Sequence, residues 1–294
     1  MGFRTSPASP SRLVLKRPAK LRRFTTAIAV SVALWGIIES PAPASAHQTI
    51  HVDLTAQQSR LYPLGVPDTT EPSGEAMPGP DDMPGYRLSY ENDFTGTTLP
   101  PGWDVFTGVP GGDPGGHFGN AHVVVSGGLL QLNTWEDPMY QDRWVTGGLC
   151  QCDLARTYGA YFVRSRVTGL GPNEVELLWP ATNAWPPEID FNETGGALSS
   201  TTSSDHFGAT NIIVHRGVTI DMTQWNTWGV IWTPNSIIYT VDGQRWGAVT
   251  VPSDVPRIRM TLDLEQVAMC SQARLCPIVP VSMLVDWVAE YVPG

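Results

Sequence analysis

The strongest constraint on the fold is a series of short apolar runs, each bounded by turn-forming residues. From Ser89 onward, β-branched and aromatic residues alternate with clusters of Gly, Pro, Asn and Asp. Segments of this length and composition predict β-strands, and no stretch shows a convincing helical period. The predicted strands are "HVVVS", "GLLQLNTW", "RWVTGGL", "GAYFVRSRV", "EVELLW", "WGVIWTP", "SIIYTVDG", "GAVTVP", "RIRMTLDL" and "VSMLVDWVAEYV".

About a dozen strands in roughly 205 residues indicate an all-β fold, with two packed antiparallel sheets or a barrel. In "SIIYTVDGQRW", Asp242 and Gly243 separate two apolar runs, which predicts a hairpin turn. Trp228 and Trp232 share one face of a strand, and most of the 11 tryptophans are expected in the core.

Residues 1–46 have the composition of a secretory signal peptide. Basic residues precede the apolar run "AIAVSVALWGII", and Ala44-Ser45-Ala46 matches a cleavage site. The run is short for a stable membrane span, and an uncleaved anchor is the alternative. The pattern predicts cleavage after Ala46 and a secreted, extracellular chain that is not bound to a membrane.

The next segment, residues 47–88, is dense in Pro, Gly, Asp and Glu. This composition predicts a disordered or extended linker without a packed core of its own. Residues 89–294 contain all of the predicted strands and therefore form the predicted folded domain.

The charge excludes one class of partner. The chain has a formal net charge of −10, and residues 47–294 contain 11 of its 18 basic residues and 27 of its 28 acidic residues. A strongly acidic body repels polyanions, so nucleic acid and sulfated polymers are not expected as partners.

Four cysteines, Cys150, Cys152, Cys270 and Cys276, are expected to form disulfides in an exported protein. Three pairings are compatible with the sequence, and a bond between Cys150 and Cys152 is awkward because only one residue separates them. A zinc site is the weaker alternative, because no histidines with ligand spacing lie near these cysteines.

The segment "WPPEIDFNETG" carries three acids, Glu188, Asp190 and Glu193, with an irregular spacing of two and then three positions. In a regular strand, Glu193 would face away from the other two. A β-bulge at Phe191 and Asn192 would return Glu193 to their face. The spacing therefore predicts three carboxyl groups that converge on one side of a strand.

Crowded carboxyl groups raise at least one pKa, which keeps one of them protonated near neutral pH. Glycoside hydrolysis needs this combination of an ionised carboxylate and a protonated acid. The alternative is the solvent face of an amphipathic strand. The rigid Trp185-Pro186-Pro187 before the first acid, and Gly195-Gly196 after the last, favour a binding site.

These residues resemble glycoside hydrolase family 16, whose signature Glu-x-Asp-x-x-Glu is here "EIDFNE". The resemblance covers about residues 89–292 and includes "ENDFTG", "YGAYFVRSRV", "ELLWP", "WNTWGVIWTPNSIIYTVDG" and "VDWVAEY". It implies a two-sheet antiparallel β-sandwich, the concanavalin-like β-jelly roll. The three-residue gap resembles the bulged branch of the family, which includes laminarinase-like enzymes.

The resemblance implies roles for individual residues. Glu188 corresponds to the nucleophile, Glu193 to the general acid and base, and Asp190 to the assisting carboxylate. Trp185 and Trp179 are expected to bind substrate, as is His206, for which an ordinary loop histidine is the alternative.

No cofactor is expected for catalysis, but relatives often hold a structural calcium. Its expected ligands here are the carboxylates of Asp286 and Asp93 and a main-chain carbonyl near Gly127, since calcium prefers oxygen ligands. The segment "CSQARLC" from Cys270 to Cys276 matches no family motif, which leaves the shape of one cleft rim undetermined.

The sequence thus predicts a secreted, monomeric, retaining endo-hydrolase of β-1,3-glucan or mixed-linkage glucan. A transglycosylase, a galactanase-type relative and a non-catalytic carbohydrate-binding jelly roll are the alternatives. The linkage depends on the shapes of cleft loops, which residues alone do not determine.

Overall fold

The structure is a computed structural model that describes residues 62–111 and 114–294. Within this part, no helix is long and apolar enough to cross a membrane, and the helical elements are four 3-10 turns, Asn120–His122, Pro138–Tyr140, Cys152–Leu154 and Ala273–Leu275. The strands are β1 (Val66–Pro67), β2 (Glu75–Ala76), β3 (Tyr86–Asn92), β4 (Asp104–Val105), β5 (Val123–Ser126), β6 (Leu129–Asp137), β7 (Arg143–Val145), β8 (Gly148–Cys150), β9 (Gly159–Val167), β10 (Asn173–Pro180), β11 (Glu188–Glu193), β12 (Ser200–Phe207), β13 (Ile212–Thr219), β14 (Asn226–Trp232), β15 (Ile237–Val241), β16 (Gln244–Val249), β17 (Met260–Val267) and β18 (Val281–Pro293).

Two antiparallel sheets pack against each other, which confirms the predicted β-sandwich. The inner sheet has the strand order β13-β12-β11-β10-β17-β8-β4. The outer sheet has the order β16-β15-β14-β9-β18-β6-β5, with β3 also paired to β18 and β7 to β6. The acidic strand β11 therefore lies near the middle of the inner sheet.

Large apolar side chains fill the space between the sheets. Ile189 and Phe191 of the inner sheet are fully buried with Trp228 and Trp232 of the outer sheet. The prediction that these two tryptophans lie in the core is confirmed. Burying an aliphatic or phenyl side chain of this size contributes about 1.5–3 kcal/mol, so this layer holds the inner sheet in place.

The hairpin between β15 and β16 has the turn that its sequence predicts. Its two central residues, Asp242 and Gly243, both have positive φ angles, 48° and 75°. This is the geometry of a type I′ turn, which suits Asp-Gly because glycine has no Cβ to clash in the left-handed region.

The prediction that the segment is disordered is wrong for residues 62–88, the part of it that the structure describes. Residues 62–88 extend along the outer face of the outer sheet, and β1 pairs with β2 within this segment. Met77 and Met83 pack in a second apolar cluster with Trp287 and Tyr291. The segment lacks a core of its own, but it is ordered because strand β18 supplies the apolar surface that it covers.

Hydrogen bonds fix the same segment. The indole N–H of Trp287 donates to the main-chain oxygen of Glu75 at 3.0 Å, and the hydroxyl of Tyr291 donates to that of Gly79 at 2.7 Å. Residues 47–61, like the predicted signal peptide of residues 1–46, lie outside the described residues.

The structure selects one of the three disulfide pairings. Cys150 bonds to Cys152, and Cys270 bonds to Cys276. The expectation that the first bond would be too awkward is therefore corrected. Cys150 is the last residue of β8 and Cys152 begins a 3-10 turn, and the bend at Gln151 brings their Cα atoms within 5.0 Å.

Candidate active site

The predicted bulge lies in the middle of β11. Asp190 pairs with Ser204 of β12 and Glu193 pairs with Thr202, so Phe191 and Asn192 together lie opposite the single residue Ser203. This arrangement confirms the bulge that the acid spacing predicts.

The side chains around the bulge turn in two directions. Phe191 is buried in the core, and the Asn192 carboxamide accepts a hydrogen bond from the Thr201 hydroxyl at 2.6 Å on the same side of the sheet. Glu188, Asp190 and Glu193 consequently share the open face of the inner sheet. These three acids, which the sequence predicts to be catalytic, are called the catalytic row below.

Glu188 lies at the entrance to the row. One of its carboxylate oxygens accepts a hydrogen bond from the indole N–H of Trp185 at 2.7 Å. Burial raises the pKa of Glu188, the charge of Glu193 adds to this effect, and the Trp185 hydrogen bond acts against it. The side chain is therefore oriented and also poised to change protonation state.

Asp190 is the most buried acid of the row, and its partner is the histidine of the next strand. His206 Nε2 lies 3.4 Å from Asp190 Oδ2, and His206 Nδ1 lies 2.9 Å from the carboxamide oxygen of Asn211. Burial and the charges of Glu188 and Glu193 raise the pKa of Asp190. The resemblance placed His206 beside the acids, and the structure does so as well.

Burial lowers the pKa of His206, but the hydrogen bond and charge of Asp190, the hydrogen bond to Asn211 and the charge of Glu188 together outweigh this effect and raise the pKa to about 9. Asp190 and His206 thus hold at least one proton between them at neutral pH. A proton held here keeps the negative charge of the catalytic row low.

Glu193 ends the row and is oriented from both neighbouring strands. Its Oε1 accepts a hydrogen bond from the side-chain amide of Asn173 at 3.0 Å. Its main-chain N–H donates to the hydroxyl of Thr201 at 2.9 Å. Sequence reasoning missed Asn173 and Thr201, because only the strand pairing brings them to the acid.

The two predicted substrate-binding tryptophans lie at different places. Trp185 is 44% exposed at the rim, with its ring centroid 5.8 Å from that of His206. Trp179 lies within the cavity beside Glu188, and its indole N–H donates to Asn183 at 3.0 Å. Both rings are therefore near the acids, and Trp179 lines the cavity.

A cavity of about 430 Å³ extends from Glu188 across the inner sheet. Besides Trp179, its lining includes the rings of Phe106 and Phe118 and the Cys150–Cys152 disulfide. Two further acids line it, Asp263 and Glu265 of β17, which sequence reasoning did not single out. The alternation of these acids in "TLDLE" was visible in the sequence, but the pairing that places only β10 between β17 and β11 was not.

The carboxylates of Glu188 and Asp190 and the ring of His206 also have donor atoms within 4.8 Å of one another. Such a group is able to hold a metal ion. The Glu188 carboxylate also accepts a hydrogen bond from Trp185, and the other ring nitrogen of His206, Nδ1, is hydrogen-bonded to Asn211. Oriented carboxyl groups on one face of a strand suit proton transfer and nucleophilic attack.

Comparison with solved structures shows the same fold. The catalytic domain of an endo-1,3-β-glucanase (laminarinase) from Thermotoga petrophila RKU-1 is 16% identical, with a TM-score of 0.63, and the match covers 71% of this chain and 98% of that one. The laminarinase from Rhodothermus marinus is 18% identical, with a TM-score of 0.64 and coverages of 70% and 97%. A non-specific endo-β-1,3(4)-glucanase from family GH16 is 20% identical, with a TM-score of 0.63 and coverages of 78% and 97%.

Comparison with curated sequences gives shorter matches. Endo-1,3-1,4-β-glycanase ExsH from Rhizobium meliloti (strain 1021) is 31% identical over 109 residues, 35% of this chain and 23% of that protein. EglC from the same organism is 27% identical over 107 residues, with the same coverages. The matches thus span about a quarter of the length of these relatives, and no family model matches the chain. The comparisons therefore confirm the jelly-roll fold that the resemblance to glycoside hydrolase family 16 implies.

Proposed function

We propose that the protein is an endo-acting glycoside hydrolase that cleaves β-1,3-glucan or mixed β-1,3/1,4-glucan with retention of configuration. The observation that carries the proposal is the bulge in β11, which places Glu188, Asp190 and Glu193 on one face beside an aromatic cavity. The fold shared with laminarinases and the partial match to endo-1,3-1,4-β-glycanases support the choice of substrate.

The proposed reaction has two steps. In the first, Glu193 donates its proton to the glycosidic oxygen while a Glu188 oxygen bonds to the anomeric carbon and the C–O bond breaks. In the second, Glu193 removes a proton from water, whose oxygen attacks the anomeric carbon and releases Glu188. Asp190 and His206 keep the site close to neutral by sharing a proton, and Trp185 and Trp179 bind sugar rings by stacking.

The proposal is tested by incubating the purified protein with laminarin, barley glucan, xyloglucan and agarose in parallel. We expect new reducing ends and a mixture of oligosaccharides from laminarin, barley glucan or both. Products longer than the donor would indicate a transglycosylase, and release from agarose alone would indicate a galactanase. Binding without turnover on every polymer would contradict the proposal in favour of a carbohydrate-binding module.

Replacing Trp185 by Phe is expected to shift the acid limb of the pH–rate profile toward higher pH. The indole hydrogen bond lowers the pKa of Glu188, so its loss leaves Glu188 protonated, and unable to attack, over a wider acid range. The measurement is kcat/KM on the cleaved glucan from pH 4 to 8. Trp179→Phe is the matched control, since Trp179 donates to Asn183 and its loss leaves the limb in place. An unmoved limb in Trp185→Phe contradicts this assignment.

We also propose a structural calcium site on the side of the outer sheet away from the cleft. Asp286 is fully buried, and its Oδ1 has no hydrogen-bond partner, while its Oδ2 accepts from the N–H of Ser73 at 3.1 Å. Burial raises the pKa of Asp286, the hydrogen bonds from Ser73 and the charge of Arg164 oppose the increase, and the charge of Asp93 adds to it. An orphaned buried carboxylate oxygen with a second acid close by fits a cation that takes oxygen ligands.

The third expected ligand lies near the same place. A Cβ added to Gly128, the residue after Gly127, would meet Pro72, the neighbour of Ser73. Glu71 is also close, because the charges of Asp286 and Asp93 raise its pKa together with its burial, which has the largest effect. Asp286, Asp93 and a carbonyl near Gly127 would therefore hold the ion over the segment of residues 71–73.

Adding calcium to chelator-treated protein is expected to raise the melting temperature, because the ion binds the folded state alone. Asp286→Asn should abolish the increase, and Glu91→Gln, a neutralisation on the exposed part of β3, should retain it. Equal calcium responses in the wild type and Asp286→Asn would contradict the site.

We further infer that the mature chain is extracellular, monomeric and not attached to a membrane. The signal-like composition of residues 1–46 and the two disulfides support export. Mass spectrometry and size-exclusion chromatography of the protein from the culture medium test this inference. Retention in the membrane fraction, or a stable dimer, would contradict it.

A further inference from the structure

Two acidic side chains of β10 point into the core and not into the cleft. Leu177 and Trp179 line the cavity, so the alternate residues Glu174 and Glu176 lie on the opposite face of the strand. Both acids are buried, with 2% and 0% of their surface exposed. A carboxyl group in the core costs free energy that a leucine would not, unless hydrogen bonds compensate for it. The contacts that each acid makes therefore indicate its role.

Glu176 lies opposite the bulge of β11. It pairs with Asn192, the second residue of the bulge. The next residue of β10, Leu177, pairs with Asp190, so Phe191 is the extra residue of the bulge. Cross-strand partners share a face of the sheet, and the Asn192 carboxamide lies close enough to Glu176 to lower the pKa of its carboxyl group. Glu176 thus contacts the bulge from the core side.

A chain of hydrogen bonds runs from the outer sheet through Glu176 to Glu193. Ser165 of β9 donates to Glu176 Oε1 at 2.5 Å. Beyond the bulge, the Thr201 hydroxyl donates to the carboxamide oxygen of Asn192 at 2.6 Å. The same hydroxyl accepts from the main-chain N–H of Glu193 at 2.9 Å. Glu176 therefore connects the outer sheet to the backbone that carries the proposed general acid.

The protonation state of Glu176 suits this position. Burial raises its pKa to about 8, and the hydrogen bonds of Ser165 and Asn192 oppose the increase. At neutral pH the carboxyl group is therefore mostly neutral, and a neutral carboxyl group both donates and accepts hydrogen bonds. Its other oxygen, Oε2, forms no further hydrogen bond within the described part of the chain, so Ser165 and Asn192 are the groups that hold the side chain.

Glu174 is a matched comparison, because its side-chain contacts avoid the bulge. Gln266 of β17 donates to Glu174 Oε1 at 2.7 Å, and Thr134 of β6 donates to Gln266 at 2.8 Å. Burial raises the pKa of Glu174, the hydrogen bond from Gln266 opposes the increase, and the charge of Glu176 adds to it. Glu174 is thus an equally buried acid on the same face of the same strand, with contacts that connect the sheets elsewhere.

We propose that Glu176 is a positioning residue that holds Glu193 in place through Asn192 and Thr201. The proposal rests on the proposed glucan hydrolysis and adds a residue to it. A bulge interrupts the hydrogen-bond ladder, so the side-chain contacts of Asn192 fix the backbone just before Glu193. Proton donation requires the acid within hydrogen-bond reach of the leaving oxygen, and a small displacement slows it strongly.

The test compares Glu176→Ala with Glu174→Ala on two substrates, a laminarin oligosaccharide and a 2,4-dinitrophenyl β-glycoside of such an oligosaccharide. The measurement is kcat/KM, which reports the step that breaks the glycosidic bond, and dinitrophenolate leaves without a proton. Glu176→Ala should lower kcat/KM on the oligosaccharide about tenfold or more and should cleave the dinitrophenyl glycoside at nearly the wild-type rate. Glu174→Ala should affect both substrates alike.

Two further variants keep the test decisive. Glu176→Gln retains a neutral group that donates and accepts hydrogen bonds, so it should recover most of the lost rate. Ser165→Ala removes only the contact with the outer sheet and should show the same dependence on the leaving group to a smaller extent. It replaces Glu176→Ala if circular dichroism shows that this variant does not fold.

An equal loss on both substrates in the Glu176 and Ser165 variants, or the same substrate dependence in Glu174→Ala, overturns the positioning role and leaves the proposed function standing. A wild type that cleaves neither substrate contradicts the proposed function, and the role of Glu176 with it.

Discussion

Replacing either Glu188 or Glu193 by Gln is expected to lower glucan hydrolysis by at least about a thousandfold, because each is assigned a separate chemical role. Glutamine cannot form the covalent glycosyl ester and cannot exchange a proton. The substitution preserves shape, since the hydrogen bonds from Trp185 to residue 188 and from Asn173 to residue 193 need only an accepting oxygen. The measurement is reducing-end release from laminarin, with circular dichroism to confirm folding.

Azide distinguishes the two roles. In Glu188→Ala, azide should occupy the place of the nucleophile and give a glycosyl azide of inverted configuration. In Glu193→Ala, azide should attack the glycosyl-enzyme and give a product of retained configuration. Glu91→Gln should keep wild-type activity, and full reducing-end release by both glutamine variants would make the assignment of the acids wrong.

The sequence was most informative where spacing and side-chain direction are directly linked. Two-residue alternation in β11 and one skipped position were enough to predict which acids share a face, because a bulge is the local way to restore the register. The Asp242-Gly243 turn was predictable for the same reason, since its backbone angles depend on the two residues themselves.

Pattern reasoning failed for strands that are polar on both faces. The sequence "STTSSDHF" of β12 was not among the predicted strands, although it pairs with the acidic strand along its length. Thr202 and His206 face the site, while Ser203 and Asp205 face the core and are fully buried. β12 shows no alternation of apolar and polar residues, because both its site-facing side and its core-facing side carry polar side chains.

Long-range pairing was the other limit. Met83 looks like part of a linker until Trp287, some two hundred positions later, lies against it. Asp263 and Glu265 looked like one face of an ordinary strand until β10 placed them opposite the catalytic row. Local propensity contains no information on which strands become neighbours, so the extent of the binding site required the fold.

Replacing the buried Asp205 by Asn is expected to stabilise the protein at pH 8 and to have little effect at pH 4. Asp205 is fully buried, and neither of its carboxyl oxygens has a hydrogen-bond partner. Burial raises its pKa to about 7, the charge of Asp254 adds to the increase, and His206 opposes it. Tyr239 lies close enough for the charge of Asp205 to raise the pKa of its hydroxyl, which burial already raises.

The direction of the effect follows from which state holds the proton. Below pH 3.8 the carboxyl group is protonated in both states, so the free energy of unfolding does not depend on it. Between that pH and about 7, the unfolded chain ionises while the folded protein keeps the proton, so stability falls as the pH rises. Well above pH 7 the loss is complete, and a shift of about three pKa units corresponds to about 4 kcal/mol.

Asn removes this loss because it is neutral at every pH. Denaturant unfolding gives the free energy of unfolding at pH 4, 6 and 8. The difference between Asp205→Asn and the wild type should therefore increase by about 2–4 kcal/mol from pH 4 to pH 8, in favour of the variant. Glu91→Gln, which neutralises an exposed acid, should change stability by a similar small amount at each pH. A pH-independent difference for Asp205→Asn would mean that the carboxyl group is ionised in the folded core. A buried charge would then lie directly beneath His206, the next residue of β12, and its attraction would support the protonated form on which the catalytic row depends.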